Sequence, residues 1–193
     1  MKCHLCTAKG CSGGKPCSAS DSLELYGDED RLLLKTASDV EALYYCTLNR
    51  LEEIMEFARR MGWKRLGLAF CIGFSDEAAM LGEILSGEFE VYSACCKIFG
   101  LPKESFGAVL RPWVGKYSCN PAEQARVLDE AGCQFNIVLG LCVGHDSLFY
   151  RHSRAPVTTF AVKDRVLGHN PLAVIYSQYL RKNLKRKPRE RLE

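Results

Sequence analysis

The predicted fold rests on residues 65–95, which read RLGLAFCIGFSDEAAMLGEILSGEFEVYSAC. Arg65–Cys71 is a short apolar run that predicts a buried strand, and Phe89–Cys95 predicts a second strand. Ser75–Leu85 lies between them and has the spacing of a helix, with Ser75 as its expected cap. A strand, a helix and a strand in this order predict two parallel strands joined by a crossover helix.

The same alternation continues towards the C-terminus. Phe135–Leu141 and Val157–Val162 predict a third and a fourth strand, both short and apolar. Asn120–Ala131 predicts the helix before the third strand, because Asn120 is a favoured cap and Pro121 suits the first helical position. We therefore expect a three-layer α/β fold with a mostly parallel four-stranded sheet of the Rossmann or flavodoxin type.

Helical patterns flank this alternation. Glu29–Met61 has apolar residues at three- and four-residue spacings and is followed by Gly62, a typical helix terminator. Asn170–Leu184 predicts the last helix. The expected organisation is a cysteine-rich metal-binding segment over residues 1–28, an α/β domain over 29–180 and a basic tail over 181–193.

The charge of the chain resides at its C-terminus. The formal net charge is +3, and the last 13 residues contain seven basic and two acidic side chains. No aromatic residues interleave with this run, which is typical of a solvated terminus rather than a nucleic-acid site. The chain has neither an apolar stretch of membrane-spanning length nor an apolar secretion signal, so we expect a cytoplasmic protein without a membrane partner. No feature specifies an oligomeric state.

The chain contains 11 cysteines. In a reducing compartment, many thiols indicate metal ligation or redox chemistry rather than a disulfide framework. Two of them have a simpler explanation as buried apolar groups: Cys46 lies within a helical pattern and Cys133 just before a strand.

The first cysteine group lies in a segment without apolar periodicity. Its spacing is C-x2-C-x4-C-x5-C within 15 residues, formed by Cys3, Cys6, Cys11 and Cys17. Such a segment cannot build a core, so a bound metal is expected to order it. Four thiolates suit either tetrahedral zinc or an iron–sulfur cluster, and the spacing leaves both open.

The second group follows the predicted strands. Cys71 ends the first strand, Cys96 follows the second, Cys142 follows the third, and Cys119 directly precedes a helix. The carboxyl ends of parallel strands meet at one edge of a sheet, where ligand sites belong. Cys95 and Cys96 point to opposite faces, and Cys96 is favoured because it begins the turn. These four cysteines predict a thiolate-bound centre, with a 4Fe–4S cluster as the expected cofactor.

Acid–base residues follow the same strand ends. His145 comes shortly after Cys142, Lys163 ends the fourth strand, and His169 precedes the last helix. These three residues are the candidate catalytic groups, because imidazole and ammonium groups beside a thiolate centre can transfer protons. Lys163 has the alternative explanation of a surface ion pair with Asp164.

These motifs resemble an uncharacterised family of bacterial and archaeal cysteine-rich proteins, labelled as metal-binding or as a domain of unknown function. The similarity covers nearly the whole chain to about Tyr179. It rests on CHLCTAKGCSGGKPC, GLAFCIGFSDEA, SACCK, SCNPAEQARVLDEAG, NIVLGLCVGHDSLF and APVTTFAVKDRVLGHNPLAVIY. The resemblance implies metal binding through cysteines and no particular reaction. A weaker similarity is to iron–sulfur desulfidases, in which three cysteines hold a four-iron cluster and one iron accepts sulfur from the substrate.

Three functions follow from these observations. The first is an iron–sulfur protein with a centre on Cys71, Cys96 and Cys142, with Cys119 as fourth ligand or nearby thiol, acting on a small sulfur-containing substrate or with a redox partner. The second is a non-catalytic zinc-binding protein that stores, delivers or senses metal. The third is a thiol redox enzyme without a metal at the sheet edge. No glycine-rich phosphate loop and no G-x-S-x-G motif occurs, which excludes common nucleotide and serine-hydrolase sites.

Overall fold

The computed structural model describes residues 2–15, 17 and 22–184 of the chain. The chain forms two units, residues 1–45 and residues 46–193. In the first unit, three short 3₁₀ helices (Cys3–Leu5, Gly10–Gly13 and Ser22–Leu25) precede helix α1 (Asp28–Tyr44). The predicted boundary at residue 28 stays a prediction, and residues 185–193 of the predicted tail lie outside the described residues.

The second unit is an α/β domain. Its helices and strands are, in chain order, α2 (Arg50–Arg60), β1 (Arg65–Phe70), α3 (Ser75–Ser86), β2 (Glu90–Cys95), β3 (Leu101–Pro102), β4 (Tyr117–Ser118), α4 (Pro121–Glu130), β5 (Phe135–Leu139), α5 (His145–His152), β6 (Val157–Ala161), α6 (Ala173–Tyr176) and α7 (Gln178–Asn183). No helix in the described part of the chain is long and apolar enough to span a membrane.

A four-stranded parallel sheet forms the centre of this unit, in the order β2-β1-β5-β6. Every residue of β5 is buried, and so are Leu66, Leu68 and Ala69 of β1. Strands that are buried on both faces are expected when helices cover both sides of a parallel sheet. The predicted fold class is confirmed.

The direction in which the chain adds strands to the sheet reverses between β1 and β5. From β1 the chain moves outward to β2 through α3, and from β5 it moves outward on the other side to β6 through α5. Right-handed crossovers place α3 on one face and α4 and α5 on the other. Consistent with this, α4 packs against α5. The gap beyond the carboxyl ends of β1 and β5 is therefore the topological switch point of the sheet, where α/β proteins bind their ligands.

Two predicted helices are interrupted. The helical pattern over Glu29–Met61 divides into α1 and α2, because Cys46 adopts a left-handed conformation with φ 57°. Asn49 then starts α2 with a capping box: its side chain accepts from the amide of Glu52, whose carboxylate accepts from the amide of Asn49. The predicted last helix divides into α6 and α7 at Ser177, which has an extended backbone.

Several smaller predictions also change. Ser75 is not the cap of α3: Phe74 holds that position, and the Ser75 hydroxyl donates to the Ile72 carbonyl oxygen at 2.7 Å. Cys46 was expected to be buried but is exposed, because it lies in the turn between helices. Cys133 is buried, as expected. The stretch between β2 and α4 contains an antiparallel ribbon of β3 and β4 that its irregular sequence did not indicate.

Candidate metal centre at the carboxyl edge of the sheet

Cys71 and Cys142 meet at the switch point of the sheet. Each lies just beyond the end of its strand, and the amide of Cys71 donates to the Leu139 carbonyl oxygen at 3.0 Å. On the other side of β5, the amide of Lys163 donates to the Leu141 carbonyl oxygen at 3.2 Å. The thiols of Cys71 and Cys142 are close enough for each to shift the pKa of the other. Backbone pairing that continues past the strands therefore fixes both cysteines.

Cys96 and Cys119 extend this contact. The amide of Cys96 donates to the Phe70 carbonyl oxygen at 2.8 Å, and the carbonyl oxygen of Cys96 accepts from the amide of Asn120 at 2.8 Å. The thiols of Cys71 and Cys119 are both close enough to raise the pKa of the Cys96 thiol. Together these contacts form an unbroken line of four thiols, here called the cysteine row: Cys142, Cys71, Cys96 and Cys119.

Cys96, and not its neighbour, is the member of the pair that joins the row. Cys96 is fully buried, and its sulfur accepts a hydrogen bond from the amide of Ile72 at 3.3 Å. The Cys95 side chain packs against the apolar core. This difference follows from the alternation of side chains along an extended backbone.

An arginine lies at one end of the row and a histidine at the other. Arg165 donates from Nη2 to the sulfur of Cys142 at 3.1 Å. At the other end, His145 lies close enough to Cys119 that the thiol raises the pKa of the imidazole. His145 Nδ1 is buried and has no hydrogen-bond partner among the described residues. A buried polar atom without a partner is rare in proteins and marks a position where a ligand, ion or water completes the bonding.

Charge alternates along the row. The hydrogen bonds donated by Cys142 and Cys96 lower the pKa of Cys71 far below its usual range. Cys96, with a smaller contribution from His145, lowers the pKa of Cys119 to about 4. The pKa values of Cys96 and Cys142 are raised, because each adjoins a thiolate. Neighbouring sulfurs cannot both be charged unless a cation joins them, and metal binding supplies that cation.

A buried glutamine, Gln124, holds the strand ends that carry the row. It lies on α4, is fully buried, and donates from Nε2 to the carbonyl oxygens of Phe70 at 3.2 Å and Ala94 at 2.7 Å. Phe70 is the last residue of β1, and Ala94 is the last but one of β2. The sequence analysis missed Gln124, although a glutamine on the apolar face of a helix is itself a signal that a buried group needs a partner.

The other two candidate catalytic residues gather around Phe74. Lys163 Nζ lies 4.3 Å from the centroid of its ring, and the charge of Lys163 contributes to the low pKa of Cys71. The His169 ring lies 4.5 Å from that of Phe74, and its Nδ1 accepts from the amide of Asp164 at 3.0 Å. His169 therefore stabilises the loop after β6. Catalytic roles for His145, Lys163 and His169 stay predictions.

A cavity of about 250 Å³ adjoins one end of the row. Cys119 and His145 line it together with the apolar side chains of Leu101, Phe106 and Leu148. The apolar wall and the two polar groups are typical of a small-molecule site. Cys119 is thus the cysteine of the row that a ligand entering this cavity can reach.

Four thiolates at the edge of the sheet suit either a zinc ion or an iron–sulfur cluster. Across residues 2–15, 17 and 22–184, no three His, Cys, Asp or Glu side chains converge closely enough to hold one metal ion. Four thiolates around one zinc ion would stand about 3.8 Å apart on every edge, since each Zn–S bond is about 2.3 Å. An iron–sulfur cluster instead distributes its cysteines over several metal atoms.

The other predicted metal ligands gather separately in the first unit. Cys3, Cys6, Cys11 and Cys17 are all exposed and line one open cavity. The described residues thus place the eight predicted cysteine ligands in two groups of four, as the sequence indicates.

The fold and the two cysteine groups define a cysteine-rich α/β protein. The chain belongs to the family described as protein of unknown function (DUF1847), whose model matches residues 13–160. It is 46% identical over 189 residues to the uncharacterized protein MJ0455 of Methanocaldococcus jannaschii, covering 95% of this chain and 98% of that one. The resemblance to an uncharacterised cysteine-rich family is confirmed.

Solved structures match more weakly. Dph2 from Pyrococcus horikoshii, in one structure alone and in another with a 4Fe–4S cluster, has a TM-score of 0.31 and 22% identity; the match covers 47% of this chain and 22% of that one. An N-acetyl-L-ornithine transcarbamylase variant has a TM-score of 0.35 and 16% identity, covering 71% of this chain and 40% of that one. The chain thus spans about a fifth of the Dph2 chain that it matches.

Proposed function

We propose that this protein is an iron–sulfur protein whose cluster is bound by the cysteine row at the switch point of the sheet. The observation that carries this proposal is that four cysteines from separate parts of the chain gather at the carboxyl edge of the sheet, where α/β folds bind ligands. Thiolates are the usual ligands of iron–sulfur clusters.

The surroundings of the row suit a negatively charged centre. A cluster bound by four thiolates is an anion, and Arg165 and Lys163 supply positive charge beside Cys142 and Cys71. The amide of Ile72 donates to the Cys96 sulfur, as amides commonly do to cluster ligands. Without a bound cation, four thiolates in such close contact would repel one another strongly.

The four cysteines have unequal positions. Cys71 and Cys96 are buried, and Cys142 is partly buried beside them. Cys119 precedes α4 and lines the cavity. We assign the first three as permanent ligands and Cys119 as the exchangeable one, so that a small sulfur-containing ligand would enter beside it. When bound, the cluster would supply one-electron transfer or a Lewis-acidic iron.

His145 is the residue of this chain best placed to move a proton at that corner. Its side chain is bonded to the Cys119 thiol, and this contact raises the pKa of the imidazole. A protonated imidazole can give its proton to a departing sulfur, and it can take one back from an incoming thiol. Redox or desulfidase-like chemistry on a small thiol-containing molecule fits this arrangement, with non-catalytic zinc binding as the alternative.

The test compares two buried cysteines. Cys142→Ser alters the row, whereas Cys133→Ser alters a buried thiol outside it, whose pKa burial raises to about 11. Both variants are purified without oxygen, and their iron, zinc, acid-labile sulfide and visible absorption are measured. We expect Cys142→Ser to lose the iron, sulfide and absorption of the row, while Cys133→Ser keeps the wild-type values.

A third variant tests whether Cys119 differs in its role from the other three cysteines of the row. Cys119→Ser is expected to keep most of the iron and sulfide, with a changed electron paramagnetic resonance spectrum, because the other three ligands remain. Equal metal and sulfide in Cys142→Ser and Cys133→Ser would refute the centre on the row. Zinc without sulfide in the wild-type protein would replace the iron–sulfur proposal with the metal-handling alternative.

A further inference from the structure

Cysteines of the N-terminal segment line one cavity. This open cavity has a volume of about 270 Å³ and lies on the surface of the first unit. Four of its lining residues are cysteines and the remaining two are lysines: Lys2, Cys3, Cys6, Lys9, Cys11 and Cys17. Among the described residues, thiols and cations line this cavity, and thiolates are suited to binding a metal centre.

Two tight turns position these thiols. Cys3 begins the first 3₁₀ helix, and the amide of Cys6 donates to its carbonyl oxygen at 3.1 Å. Cys11 lies in the second, where its carbonyl oxygen accepts from the amide of Gly14 at 3.1 Å. Lys9 connects the turns, because its Nζ donates to the Cys3 carbonyl oxygen at 3.1 Å. The left-handed backbone of Gly14, with φ 76°, closes the second turn.

Apolar packing does not hold this segment together. Among residues 2–15 and 17, every residue except Gly10 is exposed, including Leu5 at 66%. Ordering a backbone without burying side chains is unfavourable. A bound metal centre supplies the missing stabilisation in small cysteine-rich segments, where metal binding and folding are the same event.

The cavity has room for more than a single metal ion. One zinc ion bound by four thiolates leaves no free space, because the sulfurs close around it at about 2.3 Å. A volume of 270 Å³ equals that of about nine water molecules at about 30 Å³ each. It can therefore receive the eight atoms of a 4Fe–4S core.

We infer that Cys3, Cys6, Cys11 and Cys17 bind a second iron–sulfur cluster, of the 4Fe–4S type, independently of the cysteine row. Lys2 and Lys9 then lie beside an anionic centre and offset its charge. This inference goes beyond the proposed function, because it concerns a different unit of the chain and a different set of ligands.

The experiment removes ligands from one group at a time in the full chain. In Cys3→Ser/Cys6→Ser, two ligands of the N-terminal group are lost, whereas Cys46→Ser removes an exposed cysteine that belongs to neither group. Iron, zinc and acid-labile sulfide per chain are measured after anaerobic purification and after reconstitution with ferrous iron and sulfide. Cys11→Ser/Cys17→Ser serves as an independent second variant, and circular dichroism checks that the α/β unit remains folded.

We expect both N-terminal variants to contain about half of the wild-type iron and sulfide, while Cys46→Ser contains the full amount. Loss of zinc alone would overturn the inference, because the segment would then be a zinc site. Unchanged iron and sulfide in both variants would also overturn it. If these variants lose all iron while Cys142→Ser loses none, the N-terminal cluster stands and the centre on the row is refuted.

Discussion

The cysteine row and the N-terminal cysteines contain the same ligand type in opposite surroundings. The row lies at the ends of buried strands, where Cys96 is fully buried and backbone hydrogen bonds fix its neighbours. The N-terminal cysteines are all exposed, and residues 2–15 and 17 around them include no buried side chain. The protein core therefore positions the first group, whereas the second group depends on its turns and, on the inference above, on a bound metal.

This difference predicts opposite responses to metal removal. When iron is removed by reduction and chelation, amide hydrogen exchange within residues 2–15 should accelerate about a hundredfold or more, because metal binding is the main stabilisation of that segment. The amides of Cys6 and Gly14, which close the two turns, are the reporters. Exchange in β1 and β5 should change little, since those strands are held by the core.

Hydrogen exchange measured by mass spectrometry or NMR on the holo and metal-free forms checks this prediction. Equal acceleration in the two regions would show that the core does not hold the row. Unchanged protection of residues 2–15 would show that the segment is ordered without its metal.

A substitution at Gly140, two residues before Cys142, tests whether the protein core holds the row in place. This glycine has φ 67°, and a Cβ at this position would lie 2.1 Å from the ring of Phe74. Gly140→Ala therefore combines left-handed backbone strain with a steric clash, and should reduce the free energy of unfolding by about 2–5 kcal/mol. The matched control is Gly82→Ala in α3, where nothing lies within 4 Å.

Urea unfolding of the two variants provides the measurement. The control should be neutral or more stable by up to about 1 kcal/mol, because alanine favours a helix interior. Gly140→Ala should also reduce iron on the row while leaving the N-terminal iron in place. Equal stability of the two variants would show that this strand end is not closely packed.

The smallest expected effect concerns the charge beside the row. Arg165→Gln removes a cation and a hydrogen bond to the Cys142 sulfur without changing a ligand. A nearby positive charge favours the reduced, more negative cluster, so its removal should lower the midpoint potential by about 30–100 mV. Arg154→Gln removes an exposed arginine that pairs with Asp129 and should leave the potential unchanged.

Redox titration followed by electron paramagnetic resonance measures both variants. Stability should be nearly the same in the two, because both arginines are exposed. A potential in Arg165→Gln that equals that of the control would mean that Arg165 does not act on the centre.

The sequence was most informative where one physical pattern dominated. The four parallel strands follow from short apolar runs, and α4 begins after Asn120, whose side chain accepts from the amide of Glu123. The strand ends then place Cys71 and Cys142 at one edge. In all these cases, a local pattern and a general rule of parallel sheets suffice.

The remaining features depend on contacts distant in sequence. Gln124 was missed because its two carbonyl partners lie on other strands. Arg165 was not among the predicted site residues, and its bond to the Cys142 sulfur requires the loop after β6 to turn towards β5. His169 was predicted as a catalytic residue, although its observed contacts hold that loop. Periodicity cannot indicate such contacts, because they are set by tertiary packing.

The most direct test of the centre on the row is the metal content of the Cys3→Ser/Cys6→Ser chain, in which only the row is complete. After anaerobic purification, iron, acid-labile sulfide and zinc are measured per chain. A cluster on Cys71, Cys96, Cys142 and Cys119 predicts about four iron and four sulfide with no zinc. A chain that contains zinc without sulfide, or no metal at all, would contradict it.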